Sequence, residues 1–310
     1  MPQQLAYIVQ QLLNVAQLAG FYLPLALAFA IMQATTRRIF LGLGEVAMFA
    51  SFAAIYMCFA GLLRGEDDIA SALEALALAI ACGAALGFAI ARVALGKSLQ
   101  ASPLAFMIAS IGFAIAMSET MRVATGAKDI WVPPLFSGQV VAAVGGDFPI
   151  QVSAIAALGI AIGTAAIIIA AVILKWTRFG LVWRACCQSQ KLASLGGIDS
   201  SVISALAFAL AGGLAGVTGW TSAIVYGGAN FSVGMMIGFK AMFASVIGGF
   251  GTLRGAIMGA VALSFLEVAW SATFSTAYRD VAVFAIMVLA LVIRPEGLLG
   301  AQDMRESEEW

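Results

Sequence analysis

The amino-acid sequence predicts an all-α protein, a polytopic membrane helix bundle, and its composition and its long apolar runs are the observations that predict it. Hydrophobic residues make up 62% of the 310 residues, and charged residues make up only 10%. A soluble domain is about half apolar and about a quarter charged. Because so few charges cannot solvate a protein surface, most of the surface must face lipid. We therefore expect a single membrane-embedded domain over residues 1–310.

Nine segments approach the length of about 20 mostly apolar residues that a transmembrane helix needs. We expect them at about residues 5–35, 40–63, 69–93, 103–121, 148–174, 202–226, 233–250, 256–274 and 281–293. Pro24 predicts a kink inside the first segment. The seventh segment is rich in glycine and carries Lys240, so we expect a broken or re-entrant helix there. The bundle should therefore have about 8–9 transmembrane segments.

A short sequence word raises the question of an internal duplication. The word AMFAS occurs at residues 47–51 in the second segment and at residues 241–245 in the seventh. In an alternating topology these segments cross the membrane in opposite directions, which an inverted-topology repeat would produce. In a chain so rich in alanine, a shared five-residue word arises by chance with odds of roughly one in four. An inverted repeat and coincidence are both open at this point.

The basic residues predict the orientation, because loops rich in Lys and Arg stay in the cytoplasm. If the loops after odd-numbered segments face the cytoplasm, eleven Lys and Arg residues lie there and four lie outside. We therefore expect the N-terminus outside and the C-terminus in the cytoplasm. The last residues, 301–310, form a polar C-terminal tail.

The composition also disfavours several classes of function. The formal net charge is zero, so we expect no nucleic-acid partner, and the chain has no histidine. Its cysteines, Cys58, Cys82, Cys186 and Cys187, lack metal-ligand spacing, and we predict no metal site. The nucleotide-binding pattern G-x-x-x-x-G-K followed by Ser or Thr is absent. We therefore expect no enzyme activity, no catalytic residue and no cofactor bound by this chain.

Two opposite charges stand in apolar segments, where a charge costs at least about 2.5–3.5 kcal/mol. Glu45 and Lys240 could line or brace a polar passage, or they could form an ion pair that locks two helices together. The sequence leaves both interpretations open. Glu267 is a third such charge, but its neighbour Trp270 suggests a place toward the outer leaflet, where water reaches it.

A run of glycines spans the end of the seventh segment and the turn after it, at Gly248, Gly249, Gly251 and Gly255. Glycines four residues apart allow helix backbones to approach closely. They also permit a sharp turn at the membrane surface. Close packing and a flexing gate are the two interpretations of this run.

The loop at residues 175–200 is the longest polar stretch on the predicted cytoplasmic side. We expect a short amphipathic helix there, with Leu192 and Leu195 near one face and a stop at Gly196 and Gly197. Asp199 is a candidate N-cap for the next helix. The extra length favours docking of a soluble partner, and a helix lying on the membrane surface is the alternative.

This loop contains several short motifs, and further short motifs stand before and after it, so that the set extends over nearly the whole chain. They are GEV at 44–46, ASIG at 109–112, PLF at 134–136, RAC at 184–186, ASL at 193–195, GI at 197–198, KA at 240–241, GGFG at 248–251, GA at 255–256 and RPEGLLG at 294–300. Together they resemble the branched-chain amino acid (leucine-isoleucine-valine type) ABC transporter permease family.

The resemblance implies a role in an ATP-driven importer of the bacterial inner membrane. The implied partners are two cytoplasmic ABC ATPase subunits that use the ATP, a second homologous permease subunit, and a periplasmic substrate-binding protein that delivers branched-chain or related amino acids. The implied coupling residues are Arg184, Ala185, Cys186, Ala193, Ser194, Leu195, Gly197 and Ile198. The implied pathway or helix-bracing residues are Glu45, Lys240, Gly248, Gly249, Gly251 and Gly255. The alternative is a stand-alone secondary transporter or channel for a small polar solute, with Glu45 and Lys240 as ion-coupling groups.

Overall fold

The computed structural model describes residues 2–65, 67–94, 102–131, 139–145, 148–294 and 297–298. The motif predicted at 134–136, part of the motif at 294–300 and the tail at 301–310 lie outside the described residues. The α-helices of the described part are α1 (Pro2–Thr36), α2 (Leu43–Arg64), α3 (Asp68–Ala89), α4 (Pro103–Ala124), α5 (Ala154–Trp176), α6 (Arg178–Gln188), α7 (Gln190–Leu195), α8 (Ser200–Val225), α9 (Val233–Gly248), α10 (Leu253–Thr273) and α11 (Arg279–Ile293). A π-turn at Ile90–Ala94 extends α3, and a 3₁₀ turn at Thr276–Tyr278 precedes α11.

The predicted all-α membrane bundle is confirmed. Eight helices within the described residues are long and apolar enough to cross a membrane. The seventh predicted segment forms α9, which has 16 residues. It is about 24 Å long, which is shorter than a hydrocarbon core of about 30 Å. Helix α9 is continuous through Lys240, so the predicted break is absent, and a re-entrant course stays a prediction.

Two small antiparallel sheets accompany the helices. Strand β1 (Ile130–Trp131) pairs with β4 (Gly228–Ala229), and β2 (Gln139–Gly145) pairs with β3 (Phe148–Ser153). The fifth segment was expected to begin at residue 148, but that prediction is wrong by six residues because β3 occupies 148–153. The sequence FPIQVS explains the difference, since Pro149 removes a helical N–H donor and β-branched residues favour extended backbone.

The two most deeply buried membrane helices, α1 and α8, lie side by side at the centre of the bundle. They run antiparallel. The Thr218 hydroxyl on α8 donates to the carbonyl oxygen of Phe21 near the middle of α1. The C-terminal end of α1 at Thr35 lies beside Gln190 and Ser200, where α8 begins. We call this end of the bundle the Thr35 end.

The helix packing has the symmetry that an inverted repeat predicts. Helix α2 packs on α3 and α8, while α9 packs on α10 and α1. If α1, α2 and α3 are exchanged with α8, α9 and α10, respectively, each of these helix contacts is replaced by another contact that the structure also contains. Where α2 crosses α9, a Cβ atom on Gly44 would lie 2.7 Å from the Cα atom of Gly238, and a Cβ atom on Gly238 would lie 2.9 Å from that of Gly44. Each glycine stands three residues before its AMFAS word, so the two copies meet in equivalent positions, which favours the repeat over coincidence.

Helix α2 begins inside the bundle rather than at its surface. The segment between α1 and α2 carries Phe40, which is fully buried. Its ring packs against the rings of Phe106, Phe113 and Phe208 at centroid distances of 5.9–6.4 Å. The first turn of α2, with Glu45, is consequently placed among protein groups instead of at the lipid headgroups.

Candidate functional site

A cavity of about 400 Å³ opens among α1, α2, α8 and α9. Its volume falls within the range of about 300–1,000 Å³ that is usual for small-molecule sites. Apolar side chains, among them Phe21, Met48, Met236 and Ile237, form part of its lining. Polar and charged groups form another part, so the cavity can accept a solute that is partly apolar and partly charged.

A network of charges lies along the cavity and joins three helices. Lys240 Nζ on α9 lies 2.6 Å from Glu267 Oε1 on α10 and 2.8 Å from Asp280 Oδ1 on α11. The Tyr22 hydroxyl on α1 donates to Glu267 Oε1 at 3.2 Å. Arg279 Nε lies 3.4 Å from Asp280 Oδ1. Because every charge has an opposite neighbour, the network offsets part of the cost of burying ions in a membrane protein.

The rim of the cavity is formed by two connecting segments that are held together. Strands β1 and β4 place Ile130 opposite Ala229 and Trp131 opposite Gly228. Beside them, the Asn230 side-chain amide donates to Asp129 Oδ1 at 2.6 Å. The connection between α4 and β2 is thereby attached to the connection between α8 and α9. This rim lies at the end of the bundle remote from the Thr35 end.

Glu45 lies in the first turn of α2 and is buried, at 2% exposure. Its Oε2 atom has no hydrogen-bond partner within the described residues. A Cβ atom on Gly234 of α9 would lie 2.8 Å from that oxygen, so the absence of a side chain at Gly234 makes room for the carboxyl group.

The predicted glycine run forms the turn between α9 and α10. Gly249 and Gly251 adopt φ angles of 145° and 72°, which L-residues with side chains rarely adopt. A Cβ atom on Gly248 would lie 3.1 Å from the Cα atom of Gly255, so these two glycines let the helices touch through their backbones. The described part of the RPEGLLG motif docks here, since the Leu298 amide donates to the Ile247 carbonyl oxygen at 2.6 Å.

At the Thr35 end, α6 and α7 form a compact segment that is bound to α1. The buried Trp183 indole donates to Thr35 Oγ1 at 2.8 Å, and the Gln190 amide donates to the Thr35 carbonyl oxygen at 3.1 Å. Arg37 Nη2 donates to the carbonyl oxygens of Cys187 and Gln188 at 3.2 and 3.1 Å. The segment therefore moves with α1 rather than as a free loop.

The predicted end of the short helix and the predicted cap of the next helix are both confirmed in this segment. Helix α7 ends at Gly196, and Gly197 adopts a φ angle of 79°. Asp199 caps α8 by accepting from the amides of Ser201 and Val202 at 2.9 and 3.3 Å. Leu192 and Leu195 are exposed, which leaves the apolar face of α7 without a partner among the described residues.

Comparison with known proteins identifies the family. A family model described as "Branched-chain amino acid transport system / permease component" matches residues 11–291 of the chain.

The chain belongs to this permease family. It is 31% identical over 308 residues to LivH of Escherichia coli K12, which is described as a high-affinity branched-chain amino acid transport system permease protein. The aligned region covers 99% of this chain and 100% of LivH. LivH of Salmonella typhimurium is 30% identical with the same coverage. BraD of Pseudomonas aeruginosa, with the same description, is 28% identical over 307 residues, 99% of this chain and 100% of BraD. No solved structure was found to match the chain significantly.

The permease places its predicted pathway residues in three locations. Lys240 lies on the cavity, Glu45 lies one residue from cavity-lining Gly44, and the glycines lie at the α9–α10 turn. Lys240 does form a helix-joining ion pair, but its partners are Glu267 and Asp280 rather than Glu45. Glu267 was expected to be reached by water, and that expectation is wrong, because the residue is 2% exposed and paired. The glycine contacts are those of close packing, and a flexing gate stays a prediction.

The predicted coupling residues of the permease divide into an outer and an inner set. Arg184, Ser194, Leu195 and Gly197 are exposed, Ala185 and Ile198 are half-buried, and Cys186 and Ala193 are buried. Burial raises the pKa of the Cys186 thiol, and burial also raises the pKa of Cys187 to about 12. The outer set is therefore the part of the segment that a partner could contact.

Several residues at the permease cavity were not found from the sequence, namely Tyr22, Asp129, Asn230, Arg279 and Asp280. The signal that could have found two of them is the Arg-Asp pair at the predicted boundary of the last span, since charges beside an apolar run mark its end. The others belong to loops or apolar helices, where single polar residues are common. Within the described residues, no cluster of three or more Cys, Asp or Glu side chains is placed to hold a metal ion.

Proposed function

We propose that this permease is a membrane-spanning subunit of an ATP-driven ABC importer of the bacterial inner membrane. It takes branched-chain or related amino acids from a periplasmic binding protein. A second homologous permease subunit and two cytoplasmic ATPase subunits complete the transporter. The relation to LivH and BraD over the full chain supports the substrate class.

The observation that carries the coupling role is the α6–α7 segment. It is fastened to α1 through Trp183 and Gln190, yet its leucines face outward. A segment with this combination can transmit a push from a soluble partner into the bundle. Because the Lys and Arg excess lies on the same side, we place the segment in the cytoplasm and the β1–β4 rim in the periplasm. The N-terminus is then periplasmic and the C-terminus cytoplasmic.

The mechanism follows from these placements. The binding protein releases the amino acid at the periplasmic rim, and the solute enters the cavity beside Lys240 and Asp280. ATP binding by the partner subunits displaces the α6–α7 segments of both permeases. The paired bundles then switch between outward-open and inward-open arrangements, which is an alternating-access cycle. This chain supplies the pathway and the contact with the ATPases, and it binds no nucleotide.

The experiment that tests the proposal is reconstitution of the complete transporter in proteoliposomes with ATP inside and loaded binding protein outside. We expect L-leucine uptake that requires ATP, both ATPases and the binding protein. Deleting residues 188–196, or substituting Leu195→Asp, should abolish co-purification of the ATPases. Leu63→Asp is the matched control, because Leu63 is 88% exposed and Leu195 is 84% exposed. Leu63 lies at the C-terminal end of α2, outside the α6–α7 segment.

Two outcomes would overturn the proposal. One is full recovery of the ATPases with the 188–196 deletion. The other is uptake by this chain alone that follows an ion gradient, which would make it a secondary transporter.

A further inference from the structure

We infer that the permease has its own solute-recognition site, in which the carboxylate of Asp280 and the guanidinium of Arg279 bind the ammonium and carboxylate groups of a zwitterionic amino acid. The inference rests on the proposed function, and it adds that the membrane subunit itself selects for zwitterions. Selection would then not be left entirely to the binding protein.

The first observation is that the charged groups differ in their access to the cavity. The side chains of Lys240 and Glu267 are 4% and 2% exposed, while those of Asp280 and Arg279 are 32% and 40% exposed. All four residues line the cavity. A solute therefore reaches Asp280 and Arg279 first, and Lys240 and Glu267 stand behind them as positioning residues.

The second observation is that the exposed pair offers one group of each sign at a fixed separation. Arg279 Nε lies 3.4 Å from Asp280 Oδ1, and Lys240 Nζ lies 2.8 Å from the same oxygen. An arginine side chain has five N–H donors, and a carboxylate can accept about four hydrogen bonds. Both groups can therefore bind a solute while keeping these contacts.

The third observation is the balance of charge. Within the network of four, Lys240 and Arg279 contribute two positive charges, and Glu267 and Asp280 contribute two negative charges. The further acid of the lining, Asp129, lies at the exposed rim, where the Asn230 amide donates to it. A solute with zero net charge keeps the balance when it enters. A solute with one net charge leaves an uncompensated ion in a region of low dielectric constant, which is costly.

The fourth observation is the apolar part of the cavity lining. Phe21, Met48, Met236 and Ile237 line the same cavity. An aliphatic side chain can lie against them while the ammonium and carboxylate groups face Arg279 and Asp280. Methionine side chains adapt to apolar groups of different shapes, so this part of the lining should accept several branched or linear side chains. The solute class is thus an amino acid with an uncharged, apolar side chain.

The test uses the complete transporter in proteoliposomes with saturating loaded binding protein. Asp280→Asn and Arg279→Gln should each lower the L-leucine transported per ATP hydrolysed by about tenfold, as expected for loss of a hydrogen bond to a charged group. The ATPase rate and the concentration of loaded binding protein that gives half-maximal ATPase stimulation should stay within about twofold of the wild type. Arg279→Lys should restore part of the transport, because it keeps the positive charge.

Two controls separate recognition from folding. Glu119→Gln and Arg122→Gln break an exposed ion pair of 2.7 Å on α4 that does not line the cavity, and they should leave transport unchanged. Co-purification of the ATPases reports whether each variant assembles. In Asp280→Asn, Lys240 keeps its contact with Glu267, so this variant should assemble normally.

A second measurement tests the charge selection directly. The transporter without binding protein is titrated with labelled L-leucine, with L-leucinamide, which is a cation, or with 4-methylpentanoate, which is an anion. We expect the wild type to prefer L-leucine over both, and Arg279→Gln to lose the preference against L-leucinamide.

The outcomes distinguish this inference from the proposed function. If the wild type shows no ATP-dependent uptake of L-leucine, the proposed function fails. If the wild type takes up L-leucine and the Asp280→Asn and Arg279→Gln variants do so equally well per ATP, the recognition site is refuted while the importer stands. Equal binding of the three compounds by the wild type would refute it as well.

Discussion

The contact between α3 and α8 depends on glycines that touch through their backbones, and adjacent glycines on α8 provide a matched test. A Cβ atom on Gly212 would lie 2.9 Å from the carbonyl carbon and well within contact distance of the carbonyl oxygen of Gly83, and 3.2 Å from the Cα atom of Gly87. A Cβ atom on Gly213 would meet only side-chain atoms of Ile80 and Ala84 and the Ile80 carbonyl oxygen, at 3.7–3.9 Å. The perturbation is Gly212→Ala compared with Gly213→Ala.

The expected magnitudes follow from these distances. Replacing a helical glycine by alanine stabilises a helix by about 0.5–1 kcal/mol when there is space. Carbon atoms pack best at about 3.5–4.0 Å, so Gly213→Ala adds ordinary contacts and should keep that gain. Gly212→Ala forces two backbones apart, and overpacking of this kind costs about 1–3 kcal/mol. We therefore expect the two variants to differ by about 1.5–4 kcal/mol, with opposite effects on stability.

The assay is thermal unfolding of the detergent-solubilised transporter, followed with a thiol-reactive dye that reports exposure of the buried cysteines Cys58 and Cys186. Because unfolding of membrane proteins is often irreversible, the two variants are compared at one heating rate. The wild-type transition should lie above that of Gly212→Ala and at or below that of Gly213→Ala. Equal transitions for the two variants would refute the reasoning that backbone contact, rather than glycine itself, matters at this crossing.

Three further predictions concern Glu45 and the α6–α7 segment. Glu45→Gln should not lower the unfolding temperature, because Oε2 has no partner to lose, and a fall of several degrees would contradict this. The raised pKa of Cys187, about 12, leaves almost no thiolate at pH 8, so maleimide should modify Cys187 more slowly in the native than in the denatured protein, and about tenfold faster for each added pH unit. Mass spectrometry of the labelled peptide measures both rates. Trp183→Phe removes the hydrogen bond to Thr35, so we expect about 1 kcal/mol of lost stability and less L-leucine transported per ATP, whereas the control Trp176→Phe, at a 75% exposed tryptophan, should behave as wild type.

Features encoded by neighbouring residues could be predicted from the sequence. The apolar runs gave the spans, Gly196 and Gly197 gave the end of α7, and Asp199 gave the cap of α8. The helix end and the helix cap depend on the backbone preferences of residues within one turn, and the spans depend on contact of apolar residues with lipid. The position of β3 was missed because residues 148–153 contain no charge and run directly into the apolar helix that follows.

The pairing of charges could not be predicted in this way. Lys240, Glu267 and Asp280 belong to three helices. Lys240 and Glu267 sit in apolar stretches that look the same from every side, and Asp280 marks the start of α11 without showing which helix it faces. In a soluble helix, the polar face shows which side is buried, but lipid removes that contrast. Glu45 was noticed because it is a charge among apolar residues, yet its lack of a partner depends on how α2 and α9 cross.

Helix α1 contacts both of the proposed functional regions of the molecule. Thr35 accepts the hydrogen bonds from Trp183 and Gln190, and the Tyr22 hydroxyl donates to Glu267. Tyr22 precedes Thr35 by thirteen residues on α1, which is about 20 Å along a helix. In the proposed transporter, one helix thus connects the surface that the ATPases would contact to Glu267 at the proposed solute site. A force on the Thr35 end of α1 would reach Tyr22 through one continuous helix. Pro24, two residues from Tyr22, has no amide proton for a helical hydrogen bond, so α1 should bend most easily there.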